Sequence, residues 1–216
     1  MLTAFPLRYF LTASYDGAIR VFDYSQKLLH TVSAHTAPAS SIAVVPSDTP
    51  DSHLIASASH DLTARLTRID LSPATGPSKA QTLASLHLHT APLSSVATNA
   101  SGSHVLTSSW DGLIGLWDTS IPDTDEVPAE ETVGGGDRKK RRKVADDGDA
   151  ARPKRKAPAA VLKSHTARVS RVVFGRDRGA HAYSCAFDST VRTWDVENGV
   201  CTGTIVRFPP SPSLSA

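Results

Sequence analysis

The sequence predicts an all-β fold of the β-propeller type, an array of blades built from one repeated unit. Three observations carry this expectation. Turn aspartates recur at Asp16, Asp61, Asp111 and Asp188, at intervals of 45, 50 and 77 residues. The last interval returns to the usual repeat length once an insertion of about 40 residues is set aside. Each of these aspartates is followed seven residues later by Asp23, Arg68, Asp118 or Asp195. The segments between them are short, rich in β-branched residues and bounded by Gly, Asn, Asp and Ser, as strands joined by tight turns require.

The first copy lacks a leading His. Tyr9 to Ser14 reads as a strand, Tyr15-Asp16-Gly17 as a turn and Ala18 to Asp23 as a second strand. The second copy has His35, an apolar run Ile42 to Val45, a strand Leu54 to Ser59, a turn at His60-Asp61 and a closing strand Thr63 to Arg68. The third, Leu86 to Asp118, is the clearest. It holds His89, a Thr/Ser-rich strand, the turn Trp110-Asp111-Gly112 and a strand ending in Trp117-Asp118, with Trp110 read as scaffolding. The fourth runs from His165 through Val169 to Phe174 and Ala182 to Ala186, turns at Phe187-Asp188 and closes at Trp194-Asp195. With an outer strand at Cys201 to Val206, the expected strands are two, then three sets of four, then one: fifteen, or nearly four blades. The tail Arg207 to Ala216 leaves the pattern.

At 216 residues, 40% of them hydrophobic, the chain can bury a packed core. The net charge of +2 hides a block, because ten of the 23 Lys and Arg residues lie between Arg138 and Lys156. The basic character is therefore local, and the surface as a whole is not a nucleic-acid-binding field. Cys185 and Cys201 fit neither a disulfide framework nor a metal-ligand spacing; they read as small buried strand residues of a reducing compartment. His30, His53, His60, His87, His104 and His181 show no paired spacing suited to zinc and read as loop and surface residues. Gly134-Gly135-Gly136 has no strand before it and no helix after it, so it is no phosphate loop. No run approaches about 18 apolar residues, and Met1 to Phe10 lacks the charged start of a secretory signal. The expectation is a soluble intracellular protein with no membrane contact, metal or cofactor.

This grammar of His, strand, turn Asp and Trp-Asp resembles a WD40 repeat. The resemblance implies hydrogen-bonded sets within each blade: His35, Ser57 and Asp61; His89, Thr107, Asp111 and Trp117; His165, Ser184, Asp188 and Trp194. The first copy retains Thr12 and Asp16 with Phe22 in the Trp position, and the second has Thr67 there. A buried carboxylate is costly unless several donors meet it, so each set should act as an all-or-nothing lock. The same residue types invite a Ser-His-Asp catalytic reading. That reading fails because the constellation recurs once per blade and no G-x-S-x-G elbow is present. An enzyme is not expected.

Thr119 to Ala160 has another character. It starts acidic, with Asp123, Asp125, Glu126, Glu130 and Glu131, and turns basic at Arg138, Lys139, Lys140, Arg141, Arg142 and Lys143. A second basic cluster follows at Arg152, Lys154, Arg155 and Lys156. Charge, Pro and Gly without apolar periodicity predict a disordered insertion. The two clusters suit a bipartite nuclear-import signal, read by an acidic receptor groove; a salt-dependent contact with rRNA phosphates comes second and does not exclude it, and a merely solvated charged loop is the plain alternative.

The combination of YFLTASYDGAIRVFD, SSWDGLIGLWDTSIPDTDEVP, DRKKRRKV, RPKRKAP and FDSTVRTWDVENGVC resembles the WD-repeat subunit of PeBoW-type complexes. That resemblance implies a scaffold for large-subunit ribosome assembly in nucleolus and nucleoplasm. Its implied partners are a block-of-proliferation-type WD protein, a pescadillo-type protein and the pre-60S particle. The family carries a ubiquitin-like domain contacting a midasin-type ATPase, and seven blades. Nothing before Tyr9 matches that domain, so midasin contact is not carried over, and a fragment forming an open arc of about four blades is expected. A nuclear WD40 adaptor of another kind, a chromatin reader or a ubiquitin-ligase substrate receptor, remains the alternative.

Overall fold

Runs of Val, Ile, Thr and Ser stopped by turn residues give sixteen strands among the described residues. The computed structural model describes residues 9–47, 49, 52–71, 79–127, 152–177 and 179–206. Blade 1 is a three-stranded antiparallel sheet of β1 (Tyr9–Ala13), β2 (Ala18–Asp23) and β3 (Leu28–Ser33). Blade 2 contains β4 (Ala39–Val45), β5 (Ser52–Ser59), β6 (Ala64–Asp70) and β7 (Lys79–Leu86). Blade 3 contains β8 (Leu93–Thr98), β9 (His104–Ser109), β10 (Leu113–Asp118) and β12 (Ala160–Lys163). Blade 4 contains β13 (Val169–Phe174), β14 (His181–Ala186), β15 (Thr190–Asp195) and β16 (Val200–Val206). The remaining strand, β11 (Lys154–Lys156), was not expected and adds a fifth, parallel strand to the outer edge of blade 2.

The insertion therefore interrupts blade 3 itself, between its third strand and its outer strand, rather than separating that blade from the next.

Apolar clusters lie between successive blades, which makes the molecule a partial β-propeller. Ala58, Leu66 and Leu86 of blade 2 pack with Leu93, Val96, Val105 and Trp117 of blade 3. Leu106, Ile114, Leu116 and Leu162 of blade 3 pack with Val169, Val172, Ala182 and Trp194 of blade 4. A β-bulge in the inner strands of blades 2 and 3 aims one serine at the next blade. Ser40 Oγ donates to Leu93 O and Ser94 Oγ to Val169 O, each at 2.7 Å. Beyond blade 4 the pattern opens. Leu106 and Ile114 are fully buried, whereas Tyr183 and Val191, at the same places relative to the turn Asp, are 43% and 40% exposed.

The residue after each turn Asp is left-handed: Gly17 (φ 79°), Leu62 (φ 70°), Gly112 (φ 83°) and Ser189 (φ 63°). That region costs a side chain roughly 1–2 kcal/mol. Leu62→Gly and Ser189→Gly should each stabilise by about 0.5–1 kcal/mol after the greater freedom of an unfolded glycine is counted. Gly17→Ala should do the reverse, since its Cβ would lie 2.4 Å from the His35 carbonyl oxygen. Urea midpoints of the three variants test both signs.

Candidate functional site

In blade 3 the polar residues form one directed chain. An indole N–H can only donate and a carboxylate can only accept, so the direction is set at both ends. Trp117 Nε1–H donates to Thr107 Oγ1 (2.9 Å), the Thr107 hydroxyl to His89 Nε2 (2.9 Å), and His89 Nδ1–H to Asp111 (3.0 Å). Backbone N–H groups of Thr90 (3.1 Å) and Leu113 (2.9 Å) complete the carboxylate's shell. Blade 4 repeats this, with Trp194 to Ser184 at 2.8 Å, Ser184 to His165 at 2.7 Å and His165 to Asp188 at 2.8 Å. Blade 2 keeps Ser57 to His35 (2.8 Å) and His35 to Asp61 (2.9 Å), but Thr67 in the Trp place is buried against Thr82. In blade 1, Asp16 accepts the Ala18 N–H and pairs with Arg20 at the surface, while Phe22 stacks on Phe10.

Burial raises the Asp61, Asp111 and Asp188 carboxyls. The imidazole bond, the turn N–H groups and, for Asp61 and Asp188, the Thr63 and Thr190 hydroxyls outweigh it, so all three lie below the ordinary carboxylate range. A depressed folded-state pKa adds stability that is present above the unfolded value near 3.8 and is lost as pH falls toward the folded one. Urea midpoints should therefore be insensitive to these groups above about pH 5 and fall progressively below about pH 4. A midpoint that holds level through that range would show that the carboxylates do not act as locks.

These sets are poorly placed for catalysis. The hydroxyls of Ser57, Thr107 and Ser184 sit in buried residues, and those of Thr107 and Ser184 already accept an indole proton. Among the described residues no group of three or more His, Cys, Asp and Glu is placed to hold a metal ion. Cys185 and Cys201 are half-buried rather than buried. His30, His53, His104 and His181 stand in strands rather than loops.

The turn end of the blades carries a row that the sequence reading passed over. The residue before each turn Asp is Tyr15, His60, Trp110 or Phe187. Tyr15 and Phe187 are widely exposed, and Trp110, 37% exposed, reaches the same surface. His60 packs on the Trp110 ring (5.3 Å), and the Arg168 guanidinium lies 4.7 Å above it. The available signal was an aromatic or His in the same place in every copy.

Of the two basic clusters, Arg138, Lys139, Lys140, Arg141, Arg142 and Lys143 lie outside the described residues. The second is placed, and it departs from the expectation of disorder across 119–160. Arg152 is exposed, while Lys154, Arg155 and Lys156 pair with Ala84, Ser85 and Leu86 of β7. Lys156 is buried. Its Nζ donates to Asp118 Oδ1 (2.8 Å), Ser120 O (2.8 Å) and Ser120 Oγ (3.0 Å), which uses all three of its protons. Burial raises the Asp118 carboxyl, but Lys156 and Ser120 hold it below the ordinary range. An ammonium so fully met can be buried, and it fixes the returning chain to the exit of blade 3.

Residues 26–67, 80–118 and 156–195 match the family described as WD domain, G-beta repeat, and together they make up more than half of the chain. The chain belongs to the WD40 family. Three of its four turn-Asp repeats are covered, and the basic strand β11 ends where the third matched WD40 stretch begins. Curated relatives are named Ribosome biogenesis protein YTM1. The protein of Laccaria bicolor is 55% identical over 202 residues, which are 92% of this WD40 chain and 44% of the relative. That of Coprinopsis cinerea is 50% identical over 202 residues, 91% of the chain and 44% of the relative. That of Saccharomyces cerevisiae strain S288c is 29% identical over 219 residues, 91% and 46% respectively. The chain thus spans less than half the length of these relatives. No helix among the described residues is long and apolar enough to cross a membrane.

Proposed function

We propose that this WD40 chain is a non-enzymatic scaffold in ribosome biogenesis. It acts through protein–protein contacts in maturation of large-subunit rRNA and assembly of the pre-60S particle. The 55% identity to the Laccaria bicolor ribosome biogenesis protein, over nearly the whole chain, carries the reading. The repeated tetrads support it, because their hydroxyls are consumed in holding blades together. The exposed row of Tyr15, Trp110, Phe187 and Arg168 supports it too, since Trp, Tyr and Arg dominate protein interface energetics.

On the PeBoW-type resemblance, the partners are a block-of-proliferation-type WD protein and, through it, a pescadillo-type protein. The places of action are nucleolus and nucleoplasm. Arg138 to Lys143 and Arg152 to Lys156 serve import, with rRNA phosphate contact as a further use of the same charge. Affinity purification from nuclear extract should recover large-subunit precursor rRNA and a second WD protein. Recovery of histones or a cullin adaptor instead would favour the adaptor reading, and precursor-rRNA processing that stays intact after depletion would end the assembly reading.

A further inference from the structure

The insertion leaves blade 3 as an acidic leg and returns as a basic one, and the two legs are bound to each other. Asp125 Oδ1 accepts the Arg155 N–H at 2.8 Å, and Glu126 Oε2 accepts the Ala157 N–H at 2.9 Å. The Glu126 N–H in turn donates to the Arg155 carbonyl at 2.8 Å. On the opposite side β11 pairs with β7, and the His87 N–H extends the pairing to the Lys156 carbonyl at 3.2 Å. Both edges of the basic strand are occupied. The Arg155 N–H holds the Asp125 carboxyl below the usual range against a desolvation penalty, and the charges of Arg152, Lys154 and Arg155 add to the effect.

We propose that this arrangement is an autoinhibitory latch. The acidic leg Asp125–Glu126 holds the second basic cluster as a fifth strand of blade 2, and an acidic receptor groove gains that cluster only when the latch opens. The proposal rests on the import reading given above.

A receptor that binds an extended basic peptide must reach both its backbone and its side-chain charges. Here the Arg155 and Ala157 N–H groups face carboxylates of the same chain, and the Lys156 ammonium has no proton to spare. The latch is made of carboxylates along an extended strand, so what replaces it is a groove of the same chemistry. The import reading makes an acidic protein groove the occupant, and a nucleic acid, which Asp125 and Glu126 repel no less, is an outcome of the test. The apparent affinity for such a groove is lowered by the fraction of molecules that stay latched.

The test uses the full chain and a purified armadillo-repeat import receptor, with affinity read by fluorescence anisotropy. Asp125→Ala/Glu126→Ala should bind about tenfold more tightly than the natural sequence, and tryptic cleavage after Arg155 should quicken. Asp123→Ala/Glu130→Ala removes the same charge and should change affinity by less than about twofold. Adding Lys154→Ala/Arg155→Ala to the released variant should cancel its gain.

Several results would overturn the latch: faster cleavage with unchanged affinity, equal tightening in both double variants, or a gain seen for a single-stranded RNA probe and not for the receptor. If the receptor binds the natural chain and release adds nothing, the latch alone falls. If it binds no form of the chain, the import reading falls and the latch with it.

Discussion

Replacing Asp111 by Ala should cost about 3–5 kcal/mol, read as a large drop in the urea midpoint. The side chain is nearly covered, and its removal leaves the His89 imidazole and the N–H groups of Thr90 and Leu113 facing no acceptor. Asp188→Ala should behave alike, because its neighbours are the same. Asp16→Ala is the control. Its carboxylate is half exposed and paired with Arg20 at the surface, so the midpoint should hardly move. Equal losses at Asp16 and Asp111 would mean that turn geometry, and not the buried chain of hydrogen bonds, sets the stability of a blade.

Trp117→Ala is the second large effect, at about 3–5 kcal/mol. The indole is fully buried in the cluster between blades 2 and 3, and it also supplies the first proton of the blade 3 chain. Trp117→Phe separates these roles. It keeps most of the volume and should cost about 1–3 kcal/mol, chiefly by leaving Thr107 Oγ1 without its donor. Blade 2 already lives without that donor, since Thr67 bonds to Thr82 instead. The urea midpoints of the two Trp117 variants therefore measure packing and hydrogen bonding apart. If Trp117→Phe proved as costly as Trp117→Ala, cavity formation would not be the larger cause.

The repeat was legible because its constraints are local. A turn Asp needs donors within two residues, a left-handed residue follows it, and the strands alternate. Those requirements leave fixed spacings that survive even where Thr67 or Phe22 replaces Trp.

The basic strand was not legible. Arg152 to Lys156 carries no apolar residue to mark a strand, and its partners Ala84 to Leu86, Asp118, Ser120 and Asp125 are far away in sequence. Charge composition alone pointed to a solvated tether. What decided the outcome was an unpaired outer edge on blade 2 and a buried ammonium with three acceptors, both of which are properties of the folded surroundings. The turn-end row was missed for a different reason. Trp110 was weighed within its own repeat, whereas its contacts come from His60 and Arg168, which are distant in sequence.

The hydrogen bond between Glu126 and Arg155 has a consequence for how this propeller tolerates change. While the latch is closed, the outgoing and returning chains are fastened together at their base, so the blades meet the same two anchor points. Lengthening the sequence between them adds only about 0.6 kcal/mol of closure entropy per doubling. Blade 3 thus offers a grafting port, where segments of new charge, length or address can be exchanged while the packed blades keep their geometry.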